Sequence, residues 1–162
     1  MTTAKDYAIA HAKKAHGFVT MMLKDVPAEK LAAQLPGASN HFLWTLGHLA
    51  STYAFFCAAI GAKAHGLPES YGKLFAFGSS PTADAGAYPA LGELLENVEK
   101  GFAAFVGHAE KLGEEELGEK ALAGEGFLTT KMDGILSLAW HDGWHAGQLA
   151  ALRRGLGMGA VL

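Results

Sequence analysis

This sequence of 162 residues has little cysteine and no segment in which charges of one sign are concentrated. Its single cysteine, Cys57, excludes an intrachain disulfide and the paired-cysteine motifs that bind metals or catalyse redox reactions, and it favours a reducing compartment. Acidic and basic residues are scattered along the chain and give a formal charge of −3. Because there is neither a basic block nor an acidic tail, we expect no nucleic-acid partner.

Long apolar runs are also absent. The longest, AFFCAAIGA at residues 54–62, is too short to span a bilayer. The first residues, MTTAKDYAIAHAKKAHG, lack the continuous apolar stretch of a signal peptide. We therefore expect a cytoplasmic protein with no membrane partner.

The sequence shows neither the alternating pattern of β-strands nor an internal repeat, and helical periodicity dominates. Half of the residues are hydrophobic and 18% are charged, which is enough apolar material for a sizeable core. We expect an all-α protein in which residues 1–162 form a single domain.

Start and stop signals divide the chain into four long helices. Thr3 with Asp6, and Thr130 with Asp133, are capping pairs that begin the first and the last of them. The expected spans are about 3–24, 40–61, 89–113 and 130–155. Four long helices favour a four-helix bundle.

The middle two helices have boundary signals of their own. Ser39 or Asn40 is the expected N-cap of the second helix, which ends near Gly61, and Pro89 suits the first position of the third. The connection at residues 62–88 is 27 residues long, more than an antiparallel hairpin requires. It either crosses the end of the bundle, which leaves these two helices parallel, or forms a long flexible loop.

The fourth helix contains two histidines at a spacing that suits a metal ion. His141 and His145 are four residues apart, so they lie ~40° apart around the helix and one turn apart along it. Two imidazoles at this spacing can bind one ion, as they do in the metalloprotease helix motif, although the glutamate base of that motif is missing here. The alternative is a pair of polar residues at the boundary of the core.

The second helix contains the candidate for a third ligand. His48 lies about 100° from the main apolar stripe of this helix, on a face that also includes Trp44. Apolar surroundings favour neutral imidazole, which is the form that binds metals. The alternative is a boundary histidine with one hydrogen bond. Because the helix is apolar on more than one side, it packs on another helix or on a second subunit, and we expect a homodimer.

Two motifs resemble those of a known family. The second helix contains Trp44, Gly47 and His48 in the pattern W-x-x-G-H, and the fourth contains H-x-x-x-H-x-G-Q from His141 to Gln148. Together, about 93 residues apart, they are similar to the motifs of the DinB-like superfamily, which includes the YfiT-type proteins. The likeness extends over essentially the whole chain in length and helix order, and the three histidines match without departure.

The resemblance implies a fold, a site and a range of activities. The fold is a four-helix bundle with up-down-down-up order and a long crossover between the second and third helices. The metal site has three ligands, His48, His141 and His145, with zinc or nickel as the expected ion, whereas imidazole ligands by themselves suit iron and copper as well. Family activities include transferases and isomerases that use a low-molecular-weight thiol, and hydrolysis is a further possibility.

Three functions remain open from the sequence. The first is a metal-dependent enzyme, a thiol S-transferase or a hydrolase, acting on an unknown small-molecule substrate. The second is a protein in which a divalent ion only joins two helices, and the third is a helical interaction or dimerisation protein without metal. Three protein ligands leave coordination positions open, which favours the first. No catalytic residue can be named.

Other side chains receive secondary roles. Gln148 lies on the ligand stripe and is expected to orient a ligand or substrate, and Trp44 forms either a pocket wall or core packing. Asp142 is expected to meet a neighbouring helix, Trp140 and Trp144 to serve as packing, and Cys57 to be a small buried residue. The other histidines are expected to bind nothing: His11 as a core residue, and His16, His65 and His108 in solvent.

Overall fold

The computed structural model describes residues 2–37 and 40–161, and within them every regular element is helical. The all-α expectation is therefore confirmed. The four long helices are α1 (Ala4–Met22), α2 (Phe42–Ile60), α4 (Leu91–Ala109) and α6 (Lys131–Gly155). Two short helices, α3 (Ser70–Leu74) and α5 (Glu114–Gly118), lie in the connections, with short 3-10 turns at Ala28–Lys30 and Ala85–Ala87.

The caps of the first and last helices are those expected from the sequence. Thr3 Oγ1 accepts a hydrogen bond from the Asp6 backbone N–H at 3.2 Å, and the Asp6 carboxylate accepts one from the Thr3 N–H at 2.8 Å. These bonds lower the pKa of Asp6. Thr130 Oγ1 likewise accepts from the Asp133 N–H at 3.2 Å. Both pairs satisfy amides that the helix leaves without partners.

The start of α2 differs from the expectation. His41, and not Asn40, is the N-cap, because its Nδ1 accepts the Trp44 N–H at 3.2 Å; Ser39 lies outside the described residues. The opposite nitrogen, Nε2, contacts the Thr82 carbonyl at 3.0 Å, so one ring caps the helix and ties the long connection to it. Histidine is not a preferred capping residue, which is why the sequence pattern pointed elsewhere.

The helix ends near the α2–α4 connection were closer to expectation. α2 ends at Gly61, whose φ of 82° is the left-handed conformation that glycine adopts most readily. α4 begins at Leu91 with Ala90 as its cap, two residues after the expected Pro89. The intervening segment, residues 62–88, packs on α2 through α3, and buries Tyr71 and Phe75 in the core.

The long helices pack around one shared core in which α2 is central. α1 packs along α6, while α2 contacts both α4 and α6. Contacts at the helix ends give their relative directions. Arg153 in the last turn of α6 donates to the carbonyls of Met22 and Lys24 at the end of α1. His108 near the end of α4 contacts the Ile60 carbonyl at the end of α2.

By its length and average composition, α2 is long and apolar enough to cross a membrane. Its longest continuous apolar run, by contrast, is too short to do so. Two thirds (67%) of its most apolar stretch is buried by the rest of the protein. A helix covered by protein on most of its surface is consistent with the core helix of a soluble protein.

Most of the other histidines are placed differently from the expectation. His11 is exposed and not in the core, whereas His16 is buried, stacked on Phe102 with ring centres 3.9 Å apart. His65 and His108 are half-buried and contact polar partners rather than solvent alone. Histidine occurs both in protein cores and on surfaces, so helical periodicity alone does not predict well whether a histidine is buried or exposed.

Candidate metal centre

α2 and α6 bring three imidazoles together. His141 Nε2 lies 3.3 Å from His48 Nε2 and 3.2 Å from His145 Nε2. The candidate ligand atoms of the three rings all lie within 4.8 Å of one another, close enough to hold one metal ion. His145 is buried, and the other two histidines are half-buried.

A count of the hydrogens available to the ring nitrogens shows that hydrogen bonds alone cannot explain why the three imidazoles lie so close together. An imidazole nitrogen has one in-plane position, which carries either a hydrogen or a lone pair. His141 Nε2 can therefore form only one good hydrogen bond, yet it has two nitrogen neighbours at hydrogen-bond distance. At most one of the two contacts can therefore be a well-directed hydrogen bond, and a cation that accepts all three lone pairs removes the conflict.

The distances suit such a cation. Zinc–imidazole bonds are about 2.0–2.1 Å long, so two nitrogens at neighbouring corners of a tetrahedron lie about 3.3 Å apart. The contacts of His141 Nε2 with its two neighbours, at 3.3 and 3.2 Å, match that separation. The residues therefore fit a divalent ion.

His48 is oriented by two neighbours. Its Nδ1 lies 3.1 Å from the Phe75 carbonyl, so Nδ1 carries the hydrogen and donates it, which leaves the lone pair on Nε2. The ring stacks on Trp44, with centres 4.8 Å apart and planes 9° apart. A carbonyl that fixes the tautomer of a histidine is a usual companion of metal-ligating imidazole.

The surroundings of His48 and His145 favour the neutral form of these two rings. Burial lowers the pKa of His145 to about 3, and the neighbouring His141 and His48 lower it further in the same direction. Burial also lowers the pKa of His48, with a smaller contribution from His141. Neutral rings offer lone pairs near pH 7 without first releasing a proton.

Polar atoms around the other two rings are buried with no close partner. His141 Nδ1 is 3.6 Å from Asp142 Oδ1, too far for a hydrogen bond, and neither atom has another partner. The Gln148 side chain interacts with the His145 ring and raises its pKa slightly against the effect of burial. Neither His145 Nδ1 nor Gln148 Oε1 has a well-formed hydrogen bond.

A cavity of about 750 Å³ opens beside the three histidines. Trp44 and Gln148 both line it, and Trp44 also donates to Ser79 Oγ at 2.9 Å, so it is a pocket wall as well as a buried residue. Trp144 lines the cavity and is 56% exposed, which corrects its assignment to packing. Residues 77–79 of the long connection cover one side.

The family comparison agrees with this arrangement of helices and histidines. The family model described as DinB superfamily matches residues 15–149, which include both histidine motifs. The chain belongs to the DinB superfamily. No curated protein matches it.

In this DinB protein, Gly47 has a steric role beside the histidine cluster. A Cβ built on Gly47 would lie 2.2–2.4 Å from three atoms of the Phe75 ring, which is fully buried there. The absence of a side chain lets Phe75 pack directly on α2, and its carbonyl thereby reaches His48. The sequence motif included the glycine, but it gave no indication of Phe75, which is 27 residues further along the chain.

A Gly47→Ala substitution is expected to destabilise the protein and weaken metal binding together. The methyl group displaces the Phe75 ring, and such overpacking costs about 1–3 kcal/mol. Loss of the Phe75–His48 hydrogen bond is expected to lower metal affinity about tenfold or more. Chemical denaturation and a competition titration with a zinc chelator measure the two effects. Gly92→Ala, at a helical glycine with open space around it, is the control.

A buried polar network lies beside the three histidines, around Asp142. Tyr53 donates a 2.7 Å hydrogen bond to Asp142 Oδ2, which confirms that Asp142 meets a neighbouring helix. The Tyr53 hydroxyl also contacts His16 Nδ1 at 3.0 Å, and His16 Nε2 contacts Glu99 at 3.2 Å. Burial and the Asp142 carboxylate raise the pKa of Tyr53 well above its usual value, so the phenol keeps its proton. The sequence did not indicate this network.

Cys57 is not part of the site, and its thiol is expected to be inert. It is fully buried, and burial raises its pKa to about 11. At pH 8 only about 0.1% of the thiol is ionised, so reaction with an aromatic disulfide reagent is slow until the protein unfolds. The reagent should modify one thiol per chain in denaturant and almost none without it; rapid reaction of the folded protein would contradict the burial.

Proposed function

We propose that this protein binds one divalent ion through the Nε2 atoms of His48, His141 and His145, and that it is a metal-dependent enzyme acting on a small molecule in the adjoining cavity. The observation that carries the proposal is the pair of short contacts at His141 Nε2, only one of which hydrogen bonding can satisfy. Membership in a superfamily whose proteins often bind metals supports it.

The ligand set favours a reactive site over a closed structural one. Three protein ligands would leave at least one coordination position open, as in catalytic zinc sites, and all three histidines line the cavity. We propose zinc or nickel as the ion, which, when bound, would supply Lewis acidity that lowers the pKa of a coordinated thiol or water. The protein's own contribution is to favour the neutral form of His48 and His145, to orient His48 through the Phe75 carbonyl, and to line the cavity with aromatic side chains.

For the reaction we propose thiol S-transfer, with hydrolysis as the second candidate. The resemblance to thiol-dependent family members favours a low-molecular-weight thiol as co-substrate. An open site beside a cavity of about 750 Å³ has room for a drug-sized molecule, which supports either reaction. No side chain of the cavity is assigned as a general acid or base.

There are two non-enzymatic alternatives, and the histidine variants described below test them. An ion held by His48 of α2 and the two histidines of α6 would join these helices, so a purely structural role is one alternative. The other is an interaction protein. We propose a homodimer in either case: α2 is covered within the chain, but Leu136, Trp140 and Trp144 on α6 are each at least half-exposed. Sedimentation velocity measures the oligomeric state.

We propose that the four long helices form an up-down-down-up bundle within a single domain, residues 1–162. Contacts between the last turns of α1 and α6, and between the ends of α2 and α4, support two parallel pairs. Hydrogen bonds from Lys5, at the start of α1, to carbonyls after the end of α4 support the antiparallel relation of these two helices. One continuous core that includes all four supports the single domain.

We retain the cytoplasmic location, and the absence of nucleic-acid and membrane partners, as proposals. The mostly buried α2 and the reduced state of Cys57 are consistent with a soluble protein in a reducing compartment. Fractionation of cells that express the protein tests the cytoplasmic location.

The metal content of the untagged protein tests the proposed function. Elemental mass spectrometry is expected to find about one zinc or nickel ion per chain, and almost none in a His141→Ala/His145→Ala variant. The His11→Ala/His65→Ala variant, which removes two histidines outside the cluster, should keep its metal. A wild-type protein that stays empty after incubation with these metals would contradict the proposal.

A further inference from the structure

The walls of the cavity beside the histidines are almost entirely apolar. Its polar lining is limited to uncharged side chains and the histidines, and none of the Lys, Arg, Asp or Glu residues within 2–37 and 40–161 lines it.

Exposed aromatic surface is concentrated around the same cavity. The described residues include eight large hydrophobic side chains that are exposed, and four of them line the cavity: Phe55, Phe77, Phe127 and Trp144. Phe77 is fully exposed and Phe127 is 56% exposed, so both can contact a ligand. Apolar surface gathered at one opening is typical of a binding site.

From these observations we infer the ligand class of the site: a compact aromatic or apolar molecule with no charge except on the atom that binds the metal. This inference rests on the proposed function. The ion would contact only the ligand atom that binds it. A second charge elsewhere in the cavity, beside Trp44, Phe56 and Phe77, would have no charged side chain as a partner. A co-substrate thiol with carboxylates must therefore keep them outside the cavity.

The size of the cavity sets the scale of the ligand. About 750 Å³ accommodates one or two aromatic rings with substituents and is within the range of small-molecule sites. Gln148 also lines the cavity and adds an uncharged polar group there, and its side chain interacts with the His145 ring.

Two related dyes test the cavity without metal. N-phenylnaphthylamine is neutral, and anilinonaphthalene sulfonate adds one negative charge to the same skeleton. In fluorescence titrations of the metal-free protein, the neutral dye is expected to bind at least about tenfold more tightly. A Thr52→Lys substitution, which adds a cation to the lining, is expected to narrow that ratio about fivefold or more.

The control is Ala58→Lys, which adds the same charge to an exposed position of α2 outside the lining. It should leave the ratio of the two affinities unchanged. Equal affinity of the two dyes for the wild-type protein would overturn the inference, as would an equal response of the two lysine variants, because the dyes would then bind elsewhere.

A second pair of probes separates this inference from the proposed function. In cobalt-loaded protein, para-methylbenzenethiol is expected to give a thiolate-to-cobalt absorption band and to bind about tenfold more tightly than para-mercaptobenzoate, which replaces the methyl group by a carboxylate. Failure to bind cobalt would overturn the metal site, while the dye titrations still decide the ligand class. A cobalt band that forms equally well with both thiols would overturn the ligand class alone.

Discussion

A His48→Ala variant is expected to bind zinc at least about a hundredfold more weakly than the wild-type protein. Structural zinc sites with four ligands bind with about 10–16 kcal/mol, so each ligand contributes roughly 3 kcal/mol. The two remaining rings on α6, His141 and His145, can still contact an ion, which leaves weak binding. A chelator competition titration measures the change.

Unfolding experiments with and without zinc separate the possible roles of the ion. Zinc at a thousandfold excess over the dissociation constant stabilises the wild-type protein by about 4 kcal/mol, and at the same zinc concentration this increment should fall to about 1.4 kcal/mol or less in the His48→Ala variant. Without zinc, the variant is expected to lose less than about 2 kcal/mol, because it gives up one hydrogen bond and one stacking contact. A larger loss without metal would favour a mainly structural role for the ring.

His108→Ala is the matched control for that substitution. His108 is also half-buried on a long helix, and its Nε2 contacts a backbone carbonyl, that of Ile60, at 3.2 Å. The His108→Ala variant therefore loses a hydrogen bond of the same kind, and we expect no effect on the three-histidine cluster. If His48→Ala and His108→Ala lowered zinc affinity equally, His48 would not be a ligand.

A Tyr53→Phe substitution is expected to lower the free energy of unfolding by about 3 kcal/mol. Asp142 is fully buried, and Tyr53 is its one hydrogen-bond donor among the described residues, since Asp142 Oδ1 has no partner. Removal of the hydroxyl leaves a buried carboxylate without a hydrogen bond and deprives His16 of a partner. A buried acceptor left without a partner costs about 1–3 kcal/mol, and more when it is charged. Denaturant titration measures the loss.

Tyr71→Phe provides the comparison. Tyr71 is equally buried, but its hydroxyl accepts a hydrogen bond from the neutral Asn97 side chain at 2.9 Å and donates only a long one, of 3.5 Å, to the exposed Glu93 carboxylate. We expect a cost of about 1 kcal/mol, as for an ordinary neutral hydrogen bond. A cost for Tyr53→Phe no greater than that for Tyr71→Phe would show that Asp142 does not depend on the phenol.

The helices and the motifs could be predicted because their signals are local. Thr3 and Thr130 cap helices through bonds to residues three positions away, and the ring spacing of His141 and His145 follows from helix geometry. The start of α2 could not be read in this way, because His41 acts as its cap while its other nitrogen contacts Thr82, 41 residues away.

The polar groups that surround the site were less accessible to prediction. Periodicity placed His16 in solvent, yet α2 and α4 enclose it with Tyr53 and Phe102. No sequence motif predicts the contact between Phe75 and His48. Phe75 lies in the long connection, and the path of that connection depends on how Phe75 packs against Gly47. Each of these contacts joins residues that are at least 27 positions apart.

The sequence by itself determined the helical class, the ends of α6 and the three histidines as candidate ligands, because helix periodicity, caps and ring spacing act within a few residues. Only the tertiary structure decided that the three Nε2 atoms meet, that His48 is oriented by Phe75, and that an uncharged aromatic cavity lies beside them. The physical reason is that these features arise where separate helices and a long connection pack together, and packing depends on the shapes of all the partners at once.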